Sequence, residues 1–396
     1  MDLAFGPEYN DFRNEVRSFL TANADKAPAG MRRGPPDDQA RQWQQLLIEH
    51  GYAAREIPRE YGGYGAEFDV LKSHIIVEEF AEAGVPMGHS GDNRLVPTVL
   101  ELGTEEQKQK YVIPSVRGEM TWCQGYSEPG SGSDLASLST RAELDGDEWV
   151  INGQKIWTSG AQYADQIFCL VRTEPDAPKH QGISYLIFSM DTPGIDVRPL
   201  VTMTGEAVFN EVFFTDVRVP KDQIIGKRGE GWFVANTTLR YERTGLGDPS
   251  EAERRLRRII EMMKTETVGG ERLMDNAVYR ERLLAMQGRV LAMKCNGMRV
   301  LTHQIRDEDA GLARWIVKLQ GCEINHELAG LAIDVMGELG VLYDDSPYLR
   351  DEGFWQNRYM LDLGLIIGGG TAQIQKNMIG ERALGLPKEP KVATGA

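Results

Sequence analysis

The sequence predicts an α+β protein in three consecutive blocks. These are an N-terminal α-helical domain over residues 1–120, a middle antiparallel β-barrel or sandwich over 121–230, and a C-terminal four-helix bundle over 231–396. Two observations carry this. Apolar residues repeat with helical spacing up to about residue 120, switch to short alternating runs separated by turn residues, and return to helical spacing after Trp232. The chain of 396 residues is also long enough to bury several cores.

In the first block, Phe12, Val16, Phe19 and Leu20 share one helical stripe. Trp43, Leu46, Leu47 and His50 form a second stripe, which Gly51 stops. Asp69 is placed to cap a helix running through Leu71, Ile75 and Phe80 to Gly84. Thr104-Glu-Glu-Gln107 has the spacing of a capping box. Gly62-Gly-Tyr-Gly65 follows no strand, so it reads as a turn and not as a phosphate cradle.

In the second block, Asp145-Gly146 and Asn152-Gly153 read as hairpin turns flanking a strand over 148–151, with further strands over 166–171, 183–188 and 208–214. In the third block, helices are expected over 236–244, 250–266, 276–304 and 311–336, broken at Gly269-Gly270 and around residues 307–309.

Composition narrows the function classes. Hydrophobic residues make up 41% and charged residues 26%, as in a globular protein, and the net charge of −15 argues against nucleic acid or an anionic membrane as main partner. The four cysteines are scattered, which suits reduced thiols in a cytoplasmic protein. The N-terminus shows no signal-peptide pattern, and no apolar run reaches the ~18 residues of a membrane span. The six histidines lack ligand spacing, so no metal site is expected.

Rossmann, P-loop and serine-elbow signatures are missing. What remains is a pair of small-residue segments, Trp122–Asp134 and Lys155–Gly160, rich in hydroxyls and each with an aromatic. Such a surface suits a flat, hydrogen-bonding ring with a diphosphate tail. Read singly, each is an ordinary polar loop.

Read together, the motifs resemble those of the acyl-CoA dehydrogenase family. Tyr126-Ser-Glu-Pro-Gly-Ser-Gly-Ser-Asp134 is followed in family order by Gly153-Gln-Lys-Ile-Trp-Thr-Ser159, Phe209-Asn-Glu-Val-Phe-Phe214 leading to Val219-Pro220, and Gly229-Glu-Gly-Trp232. Gly370-Thr-Ala-Gln-Ile-Gln375 and its continuation to Pro387 complete the series. The resemblance spans essentially the whole chain and implies FAD-dependent oxidation of an acyl-CoA to its trans-2-enoyl-CoA. A base removes the α-proton while the β-hydrogen leaves as hydride to flavin N5.

The resemblance also implies roles. Ser127 matches the hydroxyl on the flavin pyrimidine edge, Ser159 the partner of N5, and Trp157 the indole beside the ring, with Thr158 between them. Gln124 and Tyr126 belong to the same cofactor-binding stretch. Gly132 and Ser133 would meet the diphosphate, and Ser133 also the pantetheine arm. Thr371 and Gln373 are further cofactor-binding positions. Arg240, Arg243, Gly369 and Gly370 are assigned to substrate, with a backbone amide at or near Gly369 bonding the thioester oxygen.

The best-known members carry their base just before the Gly-Thr of the last motif, where this chain has Gly369. A second group, resembling isovaleryl- and long-chain-type enzymes, places a Glu before an Arg on a C-terminal-domain helix. Glu242 in Leu239-Arg-Tyr-Glu-Arg-Thr244 falls there and is the expected base. Two family motifs that grip the neighbouring subunit's FAD are altered. One reads Thr265-Glu-Thr-Val-Gly-Gly-Glu-Arg-Leu-Met274, with Arg272 as a stand-in, and the other Asp334-Val-Met-Gly-Glu-Leu-Gly340.

A homotetramer and an α2β2 heterotetramer with a related subunit both fit these departures. Electron-transfer flavoprotein is the acceptor implied by resemblance. An acyl-CoA oxidase, a two-component monooxygenase and a non-catalytic partner subunit are the rival readings. Thr238, Gly245 and Gly247 near the expected base leave room either for a bulky acyl group or for helix packing.

Overall fold

The computed structural model describes residues 6–28, 35–89, 91–242, 247–306, 308–343 and 346–388, with Glu242 described by its backbone only. These fall into two compact units, one ending at Glu242 and one beginning after it.

The first unit opens with α1 (Pro7–Asn23), α2 (Asp38–Glu49), α3 (Val70–Ala83) and α4 (Leu95–Leu102). A further helix is built of α5 (Glu105–Gln107), a π-helical turn over Lys108–Val112, and α6 (Ile113–Val116). The local signals act as expected. Asp69 accepts hydrogen bonds from the N–H groups of Leu71 and Lys72, and Gly84 ends α3 in the left-handed region. Thr104 and Gln107 form the reciprocal capping box. The predicted stripes of α1 and α2 supply Val16, Phe19, Leu20, Trp43 and Leu47 to the core.

Eight strands follow: β1 (Trp122–Gly125), β2 (Arg141–Asp145), β3 (Glu148–Lys155), β4 (Gln166–Arg172), β5 (Ile183–Ser189), β6 (Ile195–Leu200), β7 (Phe209–Pro220) and β8 (Ile224–Ile225). They form one sheet of order β6-β7-β3-β2-β4-β5-β8, with β1 added to β4. Most pairings are antiparallel, but β1 runs parallel to β4. On β4, Phe168 and Leu170 join the helical core, while Ile167, Cys169 and Val171 join a second core with Trp149, Ile151, Val212 and Phe214. Burial on both faces explains why β4 and β5 read as unbroken apolar runs.

One expected turn is not a turn. Asp145-Gly146 does open the two-residue hairpin joining β2 and β3, but Asn152-Gly153 lies inside β3 at a register shift against β7. A Cβ on Gly153 would sit 2.6 Å from Thr140 Oγ1, so this glycine serves a bulge and a close approach. β1, β2, β6 and β8 were not expected. They are short, and β6 is largely exposed.

Helix α7 (Gly231–Glu242) completes the first unit. Its Val234 and Ala235 lie in the helical core, and fully buried Thr238 bonds Thr98 of α4 at 3.0 Å and Tyr185 of β5 at 3.3 Å. The sequence reading placed a helix here in the C-terminal bundle; its buried face packs instead on α4 and β5.

The second unit holds α8 (Pro249–Thr265), the hairpin β9 (Thr267–Val268) and β10 (Glu271–Arg272), α9 (Ala277–Ile305), α10 (Leu312–Met336), α11 (Phe354–Ile367) and α12 (Ala372–Met378). Its bundle is α8, α9, α10 and α11, the last not expected. A buried ion pair joins Arg255 of α8 to Asp362 of α11, and Arg255 also donates to the Asn325 carbonyl of α10 at 3.1 Å. Gly247 and Gly321 let the chain before α8 lie against α10, since a Cβ on Gly321 would stand 2.2 Å from Gly247 O.

Candidate active site

The fold brings the two hydroxyl-rich segments together. The N–H of Ile156 donates to Ser127 O at 2.9 Å, joining the end of β3 to the turn after β1. Beneath this contact Lys155, fully buried, donates to Tyr126 O at 3.1 Å and pairs with Glu128 at 2.8 Å. Glu128 also accepts from the N–H groups of Ser139 (2.7 Å) and Thr140 (2.8 Å). Burial pushes its pKa up, but the Lys155 ammonium and these donors outweigh that and hold it at about 2. Neither residue was singled out from sequence. The only available signal was that each sits inside a motif whose other members carry hydroxyls.

Just beyond Lys155 the backbone does something bulky residues avoid. Trp157 has φ +61° and presents an indole that is 58% exposed, touching Phe209 edge-on at a ring separation of 5.8 Å. The strain is held by Asn210, fully buried beside the turn. Thr158 N–H donates to Asn210 O at 3.1 Å, and Asn210 Nδ2 returns a bond to Thr158 O at 2.9 Å. Thr158 is itself fully buried, and its hydroxyl finds no partner among the described residues. Ser159 lies exposed next to it.

The remaining predicted positions of this unit divide between surface and support. Gly132 and Ser133 are exposed, and a Cβ on Gly132 would meet nothing within 4 Å. Buried Ser131 supports the turn by donating to Asp134 O at 2.9 Å. Tyr126 points its ring into an aromatic cluster with Phe168 and Tyr185. Gln124 accepts from Arg94 at 2.9 Å, and that guanidinium lies over the Phe168 ring and pairs with Asp92 at 2.6 Å. Arg94 was missed by sequence reasoning because it stands outside every motif.

Arg240 forms an ion pair with Glu101 at 2.5 Å on the surface of α7 and α4. Glu242 is the last residue of α7; its side chain, with Arg243 and Gly245, lies outside the described residues. Thr238 and Gly247 do not open a pocket. Thr238 is committed to Thr98 and Tyr185, and a Cβ on Gly247 would stand 2.5 Å from Val317 O.

In the second unit, Gly369 and Gly370 both have positive φ, and Thr371 caps α12 by accepting from Ile374 N–H at 3.2 Å. Gln373 is exposed on α12. Arg272, the expected stand-in for the missing grip, is turned onto Asp275, with bonds of 2.9 and 3.1 Å. Asp334 is paired with Arg282 at 2.7 Å.

The residues of the first unit fit a flavin ring. An exposed indole stands beside two accessible hydroxyl positions, and the buried Thr158 hydroxyl has a free hydrogen-bonding valence. Among the described residues no helix is long and apolar enough to cross a membrane.

Comparison with known proteins agrees with this geometry. Residues 6–119, 123–217 and 229–384 match the acyl-CoA dehydrogenase N-terminal, middle and C-terminal domains respectively. The chain is 37% identical to the acyl-CoA dehydrogenase IpdE1 of Mycobacterium tuberculosis over 97% of its own length and 99% of that protein. Among solved structures, the Tcur3481-Tcur3483 steroid ACAD aligns with a TM-score of 0.83 at 30% identity, covering 98% of this chain and all of that one (100%). The ChsE4-ChsE5 complex from Mycobacterium tuberculosis aligns with a TM-score of 0.82 at 31% identity, covering 98% and 100%. Motif order, fold and relatives converge: the chain belongs to the acyl-CoA dehydrogenase family and is an oxidoreductase of that kind.

Proposed function

We propose that this chain binds FAD and oxidises a bulky, ring-bearing acyl-CoA, of the steroid-derived kind, to its trans-2-enoyl-CoA. The observation that carries the reading is the juxtaposition of Ser127 with the Trp157–Ser159 turn, clamped from below by Lys155 and Glu128. In this reading Gln124, Tyr126, Ser127, Trp157, Thr158 and Ser159 hold the ring, while Gly132, Ser133, Thr371 and Gln373 serve the rest of the cofactor. When bound, FAD accepts the β-hydrogen as hydride. Glu242 removes the α-proton, and its placement at the end of α7 puts it on a helix anchored through Thr238. Arg240, Arg243, Gly369 and Gly370 hold the thioester and CoA. The steroid-like substrate rests on the relatives' descriptions. Electron-transfer flavoprotein is the acceptor proposed by resemblance.

A related second chain, in an α2β2 assembly, would supply the grip on FAD that this chain lacks. Arg272 is spent on Asp275, and Asp334 stands where the family carries Gln. Leu284, Leu291 and Ile305 also recur at heptad spacing, exposed, along α9, a surface suited to a partner chain. The domain limits proposed from the motif order are 1–120, 121–230 and 231–396, with α7, the first helix of the third, packed within the first compact unit.

Expression of this chain alone tests the assembly: a stable homotetramer with stoichiometric flavin would rule out the heteromer. Glu242→Gln tests the chemistry. It should abolish α-proton exchange of an acyl-CoA, and unchanged exchange would favour a non-catalytic subunit. Flavin bleaching by a panel of acyl-CoAs under anaerobic conditions, followed by slow reoxidation in air, separates a dehydrogenase from an oxidase.

A further inference from the structure

Arg94, at the start of α4, is held in one pose by its neighbours. Asp92 is fixed by the backbone, accepting from the N–H groups of Arg94 and Leu95 at 2.9 Å each. Its carboxylate grips the guanidinium twice, at 3.2 Å from Nε and 2.6 Å from Nη2. Gln124 Oε1 accepts from Nη1 at 2.9 Å, and the guanidinium carbon stands over the Phe168 ring, 5.4 Å from its centroid.

This cation borders the proposed ring site. Gln124 of β1 is the register partner of Phe168 on β4. The Tyr126 ring meets the same Phe168 ring edge-on at 6.0 Å, and Ser127 follows directly in the chain. The side chains of Arg94 and Asp92 keep 28% and 12% exposure, and Gln124 is half-buried. The cluster therefore opens onto a cleft and is not sealed in the core.

Its chemistry selects a ligand. A guanidinium only donates, so its complement is an acceptor oxygen. Asp92 cancels the charge at contact distance, and a second carboxylate would meet Asp92 as a like charge. The oxygen that fits is neutral. Because Asp92 and Phe168 already fix the fork, little freedom is lost when that bond forms. Gln124, a neutral amide, is the neighbour with which such an oxygen would share the fork.

We infer that Arg94 is a specificity-determining residue: it hydrogen-bonds a neutral oxygen, a ketone or a hydroxyl, carried on the ring of the acyl group. This rests on the functional reading above and narrows the substrate class that it names. An Arg94 that merely tied α4 to β1 would affect every acyl-CoA alike.

The test uses the FAD-loaded protein, with its partner chain if one is required. Its probes are cyclohexylpropanoyl-CoA, the ring-ketone and ring-alcohol isomers of that thioester, and a ring-carboxylate analogue. Anaerobic flavin bleaching gives kcat/KM for each. In the unaltered protein at least one oxygenated ring should exceed the plain ring about tenfold, and the carboxylate should not. In Arg94→Leu that ratio should fall about tenfold, chiefly through KM, and Arg94→Lys should recover part of it.

If Arg94→Leu does not fold, its combination with Asp92→Asn, which leaves no bare carboxylate, carries the comparison. An unaltered protein that prefers no oxygenated ring, or that prefers the carboxylate to all of them, overturns the role of Arg94. A folded variant that keeps the ratio, or loses activity equally on plain and oxygenated rings, overturns it as well. Absence of both bleaching and α-proton exchange with every acyl-CoA in the unaltered protein overturns the functional reading, and the role of Arg94 with it.

Discussion

Lys155 and Glu128 meet at 2.8 Å with side chains 0% and 5% exposed, and the pair joins the two segments that form the proposed ring site. Removing one partner leaves an uncompensated buried charge. Lys155→Met should therefore cost about 3–5 kcal/mol of unfolding free energy. The double change Lys155→Met with Glu128→Gln should restore most of it, because no bare charge remains. Urea unfolding of the four members of the cycle measures the coupling.

The same pair sets an acid limit. The Glu128 carboxyl is held at about 2 in the folded protein, below its ordinary 4.5. A depressed carboxylate contributes its full stability above the unfolded value and loses it as the pH falls toward the folded one. Stability should therefore drop between about pH 4.5 and 2, and drop less in the doubly neutral variant. Thermal midpoints across that range check this.

Trp157 holds a left-handed backbone that suits glycine better. Trp157→Gly should relieve strain of about 1–3 kcal/mol, offset by loss of the edge contact with Phe209, worth about 0.5–1.5 kcal/mol. The flavin-free protein should be as stable as before or slightly more so, while FAD retention on gel filtration falls. A variant that loses stability but keeps its flavin would contradict a cofactor role for the indole.

Asn210 should matter more for binding than its distance from the surface suggests. Asn210→Ala removes the bond to Thr158 O and frees the Trp157–Ser159 turn. The expected cost is about 1–3 kcal/mol in stability, with weaker FAD binding measured by flavin fluorescence titration.

Gly321 is helical, where alanine is ordinarily the better residue by about 1 kcal/mol. Here the added Cβ would stand 2.2 Å from Gly247 O, too close for any contact. Gly321→Ala should accordingly destabilise the second unit by about 1–3 kcal/mol, read by calorimetry.

Local signals were legible because their physics is local. Asp69 and Thr104 cap helices through bonds to N–H groups two or three residues away, so a short window of sequence contains both partners. The Asp145-Gly146 hairpin is decided in the same way. Asn152-Gly153 has identical turn chemistry, yet its use as a bulge depends on Thr140, which arrives only when β2 pairs with β3. Helix α7 was recognised as a helix, but its allegiance to α4 and β5 was not, since a stripe of Val234, Ala235 and Thr238 does not say which surface will cover it.

The sequence by itself determined the three-block order, the limits of α3, α8, α9 and α10 to within a residue or so, and the family, through motifs whose residue types are demanded by the cofactor and the thioester. Only the tertiary structure decided what stands beneath those motifs. Lys155 with Glu128 and Asn210 under Thr158 are separated along the chain by 27 and 52 positions. Each pairing exists because burial demands a partner for a charge or an amide, and the fold chooses which one is in reach.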